Sequence, residues 1–383
     1  MCSNYPVDGV ANHLTFSRLV TIMRSLGAAL VLLLAGCSTA APAPPTIVPS
    51  GGATVMRLAR AAHTATPLPD GRVLLVGGCA TDGCGGTTAE SEIFAGGRFG
   101  AGPPLAEPRF NHTATALADG RVLVAGGFPS ETAGPSGTAE IFAGGRFGPA
   151  VPLTAPRANH TATRLRDGRV LLAGGVSGRS ALASAEVFDG TGFRAVAAMP
   201  DARSRHGAAL LADGRVLVVG GQGGTAHGDR LLDTALLYDP ARDVWQEVPG
   251  RMPAPAYKLA VAALPDGRAL VVGGQTADDP AARLSTTLLF DPRTGGFTAG
   301  ARMAEPRYKI SDAVVALPGG RVAVAGGFGV EVYAEGRFRP AAQDTVERQY
   351  PAVAVLPGGA LLVTGGYDDR TRVTATALVV DVA

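Results

Sequence analysis

Seven of the glycine pairs in these 383 residues, each ending a copy of the same short apolar run, constrain this chain more than any other feature. They are Gly77-Gly78, Gly126-Gly127, Gly174-Gly175, Gly220-Gly221, Gly273-Gly274, Gly326-Gly327 and Gly365-Gly366. Their first members lie 49, 48, 46, 53, 53 and 39 residues apart. Steps of that size mark tandem structural repeats, and their inequality marks loops of differing length.

Every copy carries the same internal order. In the second it runs "RFNHTATAL" (Arg109 to Leu117), "DG", "RVLVAGG" (Arg121 to Gly127), a polar loop, "AEIF" (Ala139 to Phe142) and "GGRFGPAVPL" (Gly144 to Leu153). These are four short pieces rich in Val, Thr, Leu and Phe, punctuated by Gly, Pro and Asp, with no sustained helical period after residue 50. The fold class is therefore all-β. Asp-Gly between apolar runs, as at Asp70-Gly71 and Asp119-Gly120, predicts two-residue hairpin turns, with Gly319-Gly320 and Gly358-Gly359 substituting in the last two copies. The "VLLV" runs are apolar at successive positions, as strands covered on both faces are.

The pattern resembles the kelch repeat: an Arg, two strands ending in Gly-Gly, a third strand ending in an aromatic-Asp pair, and a fourth carrying an aromatic. The aromatic-Asp pairs are Phe188-Asp189, Tyr238-Asp239 and Phe290-Asp291; the fourth-strand aromatics are Phe99, Phe147, Phe193, Trp245, Phe297 and Phe338. The resemblance implies a seven-bladed kelch-type β-propeller over residues 50–383, one sheet per repeat. The seventh copy stops after its third strand, and "GATVMRLAR" reads as the tail of a fourth, so residues 51–57 are expected to pair with the last blade and close the ring.

Upstream, the apolar run from Leu26 to Ala35 has the length of a signal-peptide core. Leu34-Ala35-Gly36-Cys37 resembles the bacterial lipoprotein box. Residues 1–36 are thus read as a leader, with Met23 an alternative start, and 37–49 as a lipidated Cys37 followed by a Pro-rich linker. Ser38 resembles lipoproteins passed to an outer membrane. The remaining cysteines, Cys79 and Cys84, suit a disulfide in an oxidising compartment. Their spacing lacks the second ligand pair of a metal site, so no metal and no cofactor are expected.

With 34 basic and 32 acidic residues and no basic tract, the chain does not read as a nucleic-acid binder. A monomer is expected. Ligands of such propellers meet the loops that enter the innermost strands, which here offer Phe110, Asn111, Asn159, Arg205, Tyr257, Lys258, Tyr308, Lys309, Gln349 and Tyr350. Mixed cationic and aromatic groups suit a glycan or a peptide bearing carboxylates. His63, His112, His160 and His206 share one repeat position, as do Arg60, Arg109, Arg157 and Arg203, so structural roles between blades are expected of both sets. A binding or scaffolding module for a protein or glycan is the expected function. The competing expectation is a carbohydrate-active enzyme, sialic-acid mutarotase-like, with Glu347 or Asp312 as its acid or base, or a galactose oxidase-like relative without the copper ligands: no Tyr-His pair occurs.

Overall fold

The computed structural model describes residues 54–224 and 230–382; the leader, Cys37 and the linker lie outside them. Seven sheets form a β-propeller. The first blade runs Thr64–Pro67, Val73–Val76, Ser91–Ala95 and Arg98–Ala101, in consecutive antiparallel pairs from the axis outward. Each innermost strand touches the next, and Ala352–Val355 of the seventh blade touches Thr64–Pro67 of the first. Thr54–Val55 adds to the seventh sheet as its outer strand, Thr54 opposite Ala377 and Val55 opposite Thr376.

The apolar second strands explain the packing. Val73, Leu74, Leu75 and Val76 are all buried. Because side chains alternate across a strand, Leu74 and Val76 pack with Val122, Val124 and Phe142 of the second blade. Val73 and Leu75 pack with Ala354, Leu362 and Ala377 of the seventh. Each such side chain withdrawn from water contributes about 1.5–3 kcal/mol. Outer aromatics close the first six blades: Phe94 meets Phe99 at 4.8 Å between ring centroids, and Tyr238 meets Trp245 at 4.8 Å.

Three sequence expectations need correction. The first concerns the Asp-Gly hairpins, which hold three residues rather than two. Leu68 N–H donates to Arg72 O around Pro69-Asp70-Gly71, and the Gly71 N–H returns to Leu68 O. Only Gly71 of these is left-handed, at φ +83°, the geometry of a type I turn followed by an αL residue. The Asp70 carboxylate fixes the turn by accepting from Arg72 N and Nε.

The second concerns the repeated arginines. Their side chains bond carbonyls of their own blade: Arg109 donates to Gly126 O at 2.8 Å and Thr138 O at 2.8 Å. It is their own carbonyls that join blades, as in Gly78 N to Arg109 O at 2.7 Å and Gly366 N to Arg60 O at 2.9 Å. This explains the glycine pair. At Gly126 (φ +62°) a Cβ would stand 2.2 Å from Arg157 O, so the backbones could not meet.

The third concerns the sixth sheet, which has three strands, Val314–Ala316, Val322–Ala334 and Arg337–Arg348, and not four.

Candidate functional site

Seven residues, one per blade, surround the axis where the chain enters each innermost strand: Ala62, Asn111, Asn159, Arg205, Lys258, Lys309 and Tyr350. All are left-handed, with φ between +51° and +57°. Their main chains form a closed circle of hydrogen bonds. Asn111 N donates to Ala62 O, Asn159 N to Asn111 O, Arg205 N to Asn159 O and Lys258 N to Arg205 O. Lys309 N donates to Lys258 O, Tyr350 N to Lys309 O, and Ala62 N returns to Tyr350 O, all at 2.8–3.3 Å. An αL residue with a Cβ costs roughly 1–2 kcal/mol, so this conformation persists because the circle and the packed blades enforce it. The circle brings six polar or charged residues to the wall of a cavity, Lys258 and Lys309 among them buried.

That cavity, about 180 Å³, is lined by Asn111, Asn159, Arg205, Lys258, Lys309 and Tyr350, and also by Ser311 and Asp312. Ala208, Ala260 and Val261 form apolar wall. Of the sequence-derived candidates, these first six come together on it. Phe110 does not line it; its ring packs on Phe128 at 5.3 Å. Tyr257, Tyr308 and Gln349 lie under the rim, 3%, 9% and 3% exposed. Their polar atoms are engaged there: Gln275 donates to the Tyr257 hydroxyl, and the Tyr308 hydroxyl donates to Gln349 Oε1 at 2.6 Å.

Blades five to seven thereby hold their lysines from below. The Lys309 ammonium sits 4.9, 5.5 and 5.0 Å from the ring centroids of Tyr308, Tyr350 and Tyr367 and donates to the Tyr367 hydroxyl at 2.8 Å. Arg283 stacks on Tyr308 at 4.4 Å and pairs with Asp369 at 2.5 Å. That hydrogen bond holds the Asp369 carboxyl below the usual range. Glu347 pairs with Arg283 at 3.7 Å in the same network and is absent from the cavity lining. On blades two to four the rim is lighter: Arg205 donates to Gln222 Oε1 at 3.2 Å.

Asp312 reaches the cavity through an irregularity in the repeat. Eight positions separate Arg109 from Leu117, and the same eight separate Arg60 from Leu68 and Arg348 from Leu356. Ten separate Arg307 from Leu317. The two extra residues form a turn, Ala313 N donating to Ile310 O, that thrusts Ser311 and Asp312 to the axis. Asp312 is exposed at the cavity wall. Desolvation by the surrounding protein pushes its carboxyl up to about 6, the Ser311 hydroxyl at 3.2 Å opposing. Among the described residues no ion pair reaches it. The repeat spacing, measured copy by copy, is the signal that marks this residue in the sequence.

The histidines tie neighbouring blades. His112 Nε2 meets Thr64 Oγ1 at 3.1 Å, His160 meets Thr113 at 3.0 Å, His206 meets Thr161 at 2.9 Å, and His63 meets Thr364 of the seventh blade at 2.9 Å. Burial, reinforced by the neighbouring arginines, drives their pKa values down, to about 3 for His112 and His206. The third-strand glutamates were not legible as functional parts. Glu92 accepts from Arg60 at 2.9 Å and from the Arg57 and Leu58 N–H groups, and so fixes the chain as it enters the blade; Glu186 does the same for Arg157 and Thr154.

Cys79 and Cys84 form a disulfide in the loop after the first glycine pair. The same loop reaches the seventh blade, with Gly83 N donating to Thr371 O at 3.0 Å and Val373 N to Asp82 Oδ1 at 3.0 Å.

Residues 202–252 match the family model of the Kelch motif. No curated protein matches the chain. A solved structure described as a novel fungal alcohol oxidase with catalytic diversity among the AA5 family, in complex with copper, is similar at 14% identity and a TM-score of 0.47, over 71% of this chain and 73% of that one. Copper does not fit the residues here. The histidine Nε2 atoms are taken by threonines, and among the described residues no three His, Cys, Asp or Glu side chains gather as a donor set.

Proposed function

We infer that this kelch-type, seven-bladed propeller works as a binding module whose ligand, a protein or glycan bearing carboxylates, docks at the mouth of the axial cavity. The observation that carries the reading is the rim: Arg205, Lys258 and Lys309 converge with two asparagines and a tyrosine on one concave opening. Charged donors on a rigid, hydrogen-bonded frame suit recognition of carboxylates. A glycan and peptide array on the purified protein, repeated with Arg205→Ala and Asn159→Ala, tests it. Bound anionic ligands should weaken in both variants; identical array profiles would remove this opening from consideration.

A catalytic reading has one observation in its favour, a single carboxyl at about 6 inside the cavity. Glycoside hydrolysis uses two carboxyl groups, whereas Asp312 is the one carboxylate of this lining. The chemistry open to it is a lone proton transfer, such as opening and closing a sugar ring. Polarimetry of freshly dissolved sugar acids with protein and with its Asp312→Ala variant tests that alternative: no acceleration over buffer ends it.

The leader supports the rest of the reading: export, acylation of Cys37 and attachment to a bacterial envelope membrane, the Pro-rich segment acting as spacer. Fatty-acid labelling in a bacterial host tests the anchor. Label retained by a Cys37→Ser form would refute it.

A further inference from the structure

We propose that the face away from the axial opening, at the turns of blades one to three, docks on the anionic headgroups of a lipid bilayer. The proposal goes beyond the ligand reading above, and it rests on the anchor at Cys37 only for holding the propeller near such a surface. The first observation is direction. Every innermost strand runs from the left-handed circle to a hairpin turn, and the third strand, antiparallel to the second, ends at a turn on the same side. Arg121 of one hairpin joins the two sets, donating to Gly190 O of a third-to-fourth-strand turn at 3.1 Å. A bilayer against these turns leaves the axial opening free for its ligand.

The second observation is charge. In blades one to three these turns and their flanking residues carry eight arginines against four aspartates, and the corresponding turns of the other four blades carry no such excess. Asp70, Asp119 and Asp167 are each spent on the arginine two positions later. Asp189 accepts from Thr191 within its own turn. Left over are Arg98, Arg146, Arg164, Arg166 and Arg194, all exposed and without a carboxylate partner among the described residues. Arg164 and Arg166 are held on the face by donating to Ala116 O and Ala212 O of the neighbouring blades. The third observation is the entry of the chain. Thr54 Oγ1 lies 3.5 Å from Gly97 O, so the first described residue of the propeller stands beside the turn that carries Arg98. Val55, which follows, is 65% exposed, an apolar side chain left open at this entry. Sixteen residues separate Thr54 from Cys37, a reach of at most about 60 Å. On such a tether the basic turns meet the anchoring membrane at high effective concentration.

Each basic side chain brought to an anionic leaflet raises partition about fivefold, and a basic patch adds a second attachment to a lipid anchor. The test is cosedimentation of the purified Cys37→Ser protein, which carries no acyl chain there, with vesicles of phosphatidylcholine alone and of phosphatidylcholine and phosphatidylglycerol in equal parts. The neutral vesicles set the background. The anionic ones should bind the protein at least about tenfold more tightly and release it at salt on the order of 1 M, where the Debye length is about 3 Å. Arg98→Glu with Arg146→Glu should weaken that binding at least about tenfold. Arg302→Glu with Arg370→Glu makes the same change of charge at exposed positions on the side of the axial opening, after a fourth strand and after the last glycine pair, and should leave it intact. Equal sedimentation with both vesicles, or equal loss in both variant pairs, would overturn the proposal, and so would tighter binding to heparin than to the anionic vesicles. The array at the axial opening and the fatty-acid label at Cys37 use none of these arginines, so failure here is distinguishable from failure of either reading.

Discussion

Acid should loosen this propeller before the carboxylates of its hairpin turns titrate, and the four inter-blade histidines set the size of the effect. His112 and His206 carry folded-state pKa values of about 3 against 6.5 in an unfolded chain. The unfolded chain therefore takes up protons that the folded one refuses. The stabilisation is complete above pH 6.5 and is lost as pH falls toward 3. Between pH 7.5 and pH 5.0 one and a half units lie below 6.5, and each is worth 1.36 kcal/mol, so each of these histidines should cost about 2 kcal/mol. The pair costs about 4 kcal/mol, and His63 and His160, shifted in the same direction, add to it. Asp312 acts oppositely: its carboxyl is raised, so its contribution is full below 3.8 and lost as pH rises through about 6. Asp70, Asp119 and their equivalents, all lowered from 3.8, titrate below the window. The assay is urea denaturation at the two pH values. The comparison is a variant carrying His112→Leu with Thr64→Ala and His206→Leu with Thr161→Ala, imitating the fifth and sixth blades, where Leu259 and Ile310 take the histidine position. Wild type should lose at least about 4 kcal/mol more than this variant between pH 7.5 and 5.0. Equal losses would refute the reasoning.

Other perturbations follow from the same contacts. Arg157→Leu strands the buried Glu186 carboxylate and should cost about 3–5 kcal/mol in urea unfolding, most of it recovered when Glu186→Leu is added. Gly126→Ala meets Arg157 O while Gly144→Ala, at φ +56°, meets nothing within 4 Å; the first should lose at least ~2 kcal/mol and the second about 1 kcal/mol, and equal melting shifts would contradict the close approach. Cys79→Ser with Cys84→Ser should cost about 2 kcal/mol and raise amide exchange at Gly83 and Val373, where the first blade bonds the seventh. Unaltered exchange there would show that the disulfide does not brace this seam.

What the sequence made legible was whatever repeats with fixed spacing. The glycine pairs and the second-strand apolar runs do one job in every blade, and the outer aromatics do one in six of the seven, so the copies announce it. Missed features depend on contacts between distant loops or on departures from the repeat. Tyr257 and Tyr308 read as open rim aromatics because nothing near them in sequence shows Gln275, Arg283 and Gln349 taking their hydroxyls. The hairpin residues were visible while their count was not, since Leu68 and Arg72 close the turn through main-chain bonds that any residues could make. The left-handed circle escaped for a related reason: Ala62, Arg205 and Lys258 are not residues that favour positive φ, and only the closed ring of neighbours imposes it. Asp312 was visible as a residue but not as a cavity group, because its placement follows from an insertion measured against the other six repeats.

The most direct test of the account is a crystal structure of the protein soaked with an anionic glycan or peptide that binds it in the array. The account predicts that ligand at the axial cavity, with a carboxylate beside Arg205. Density instead beside Arg166 and Arg321 at the other surface depression, or an unfilled axial cavity at saturating ligand, would contradict it.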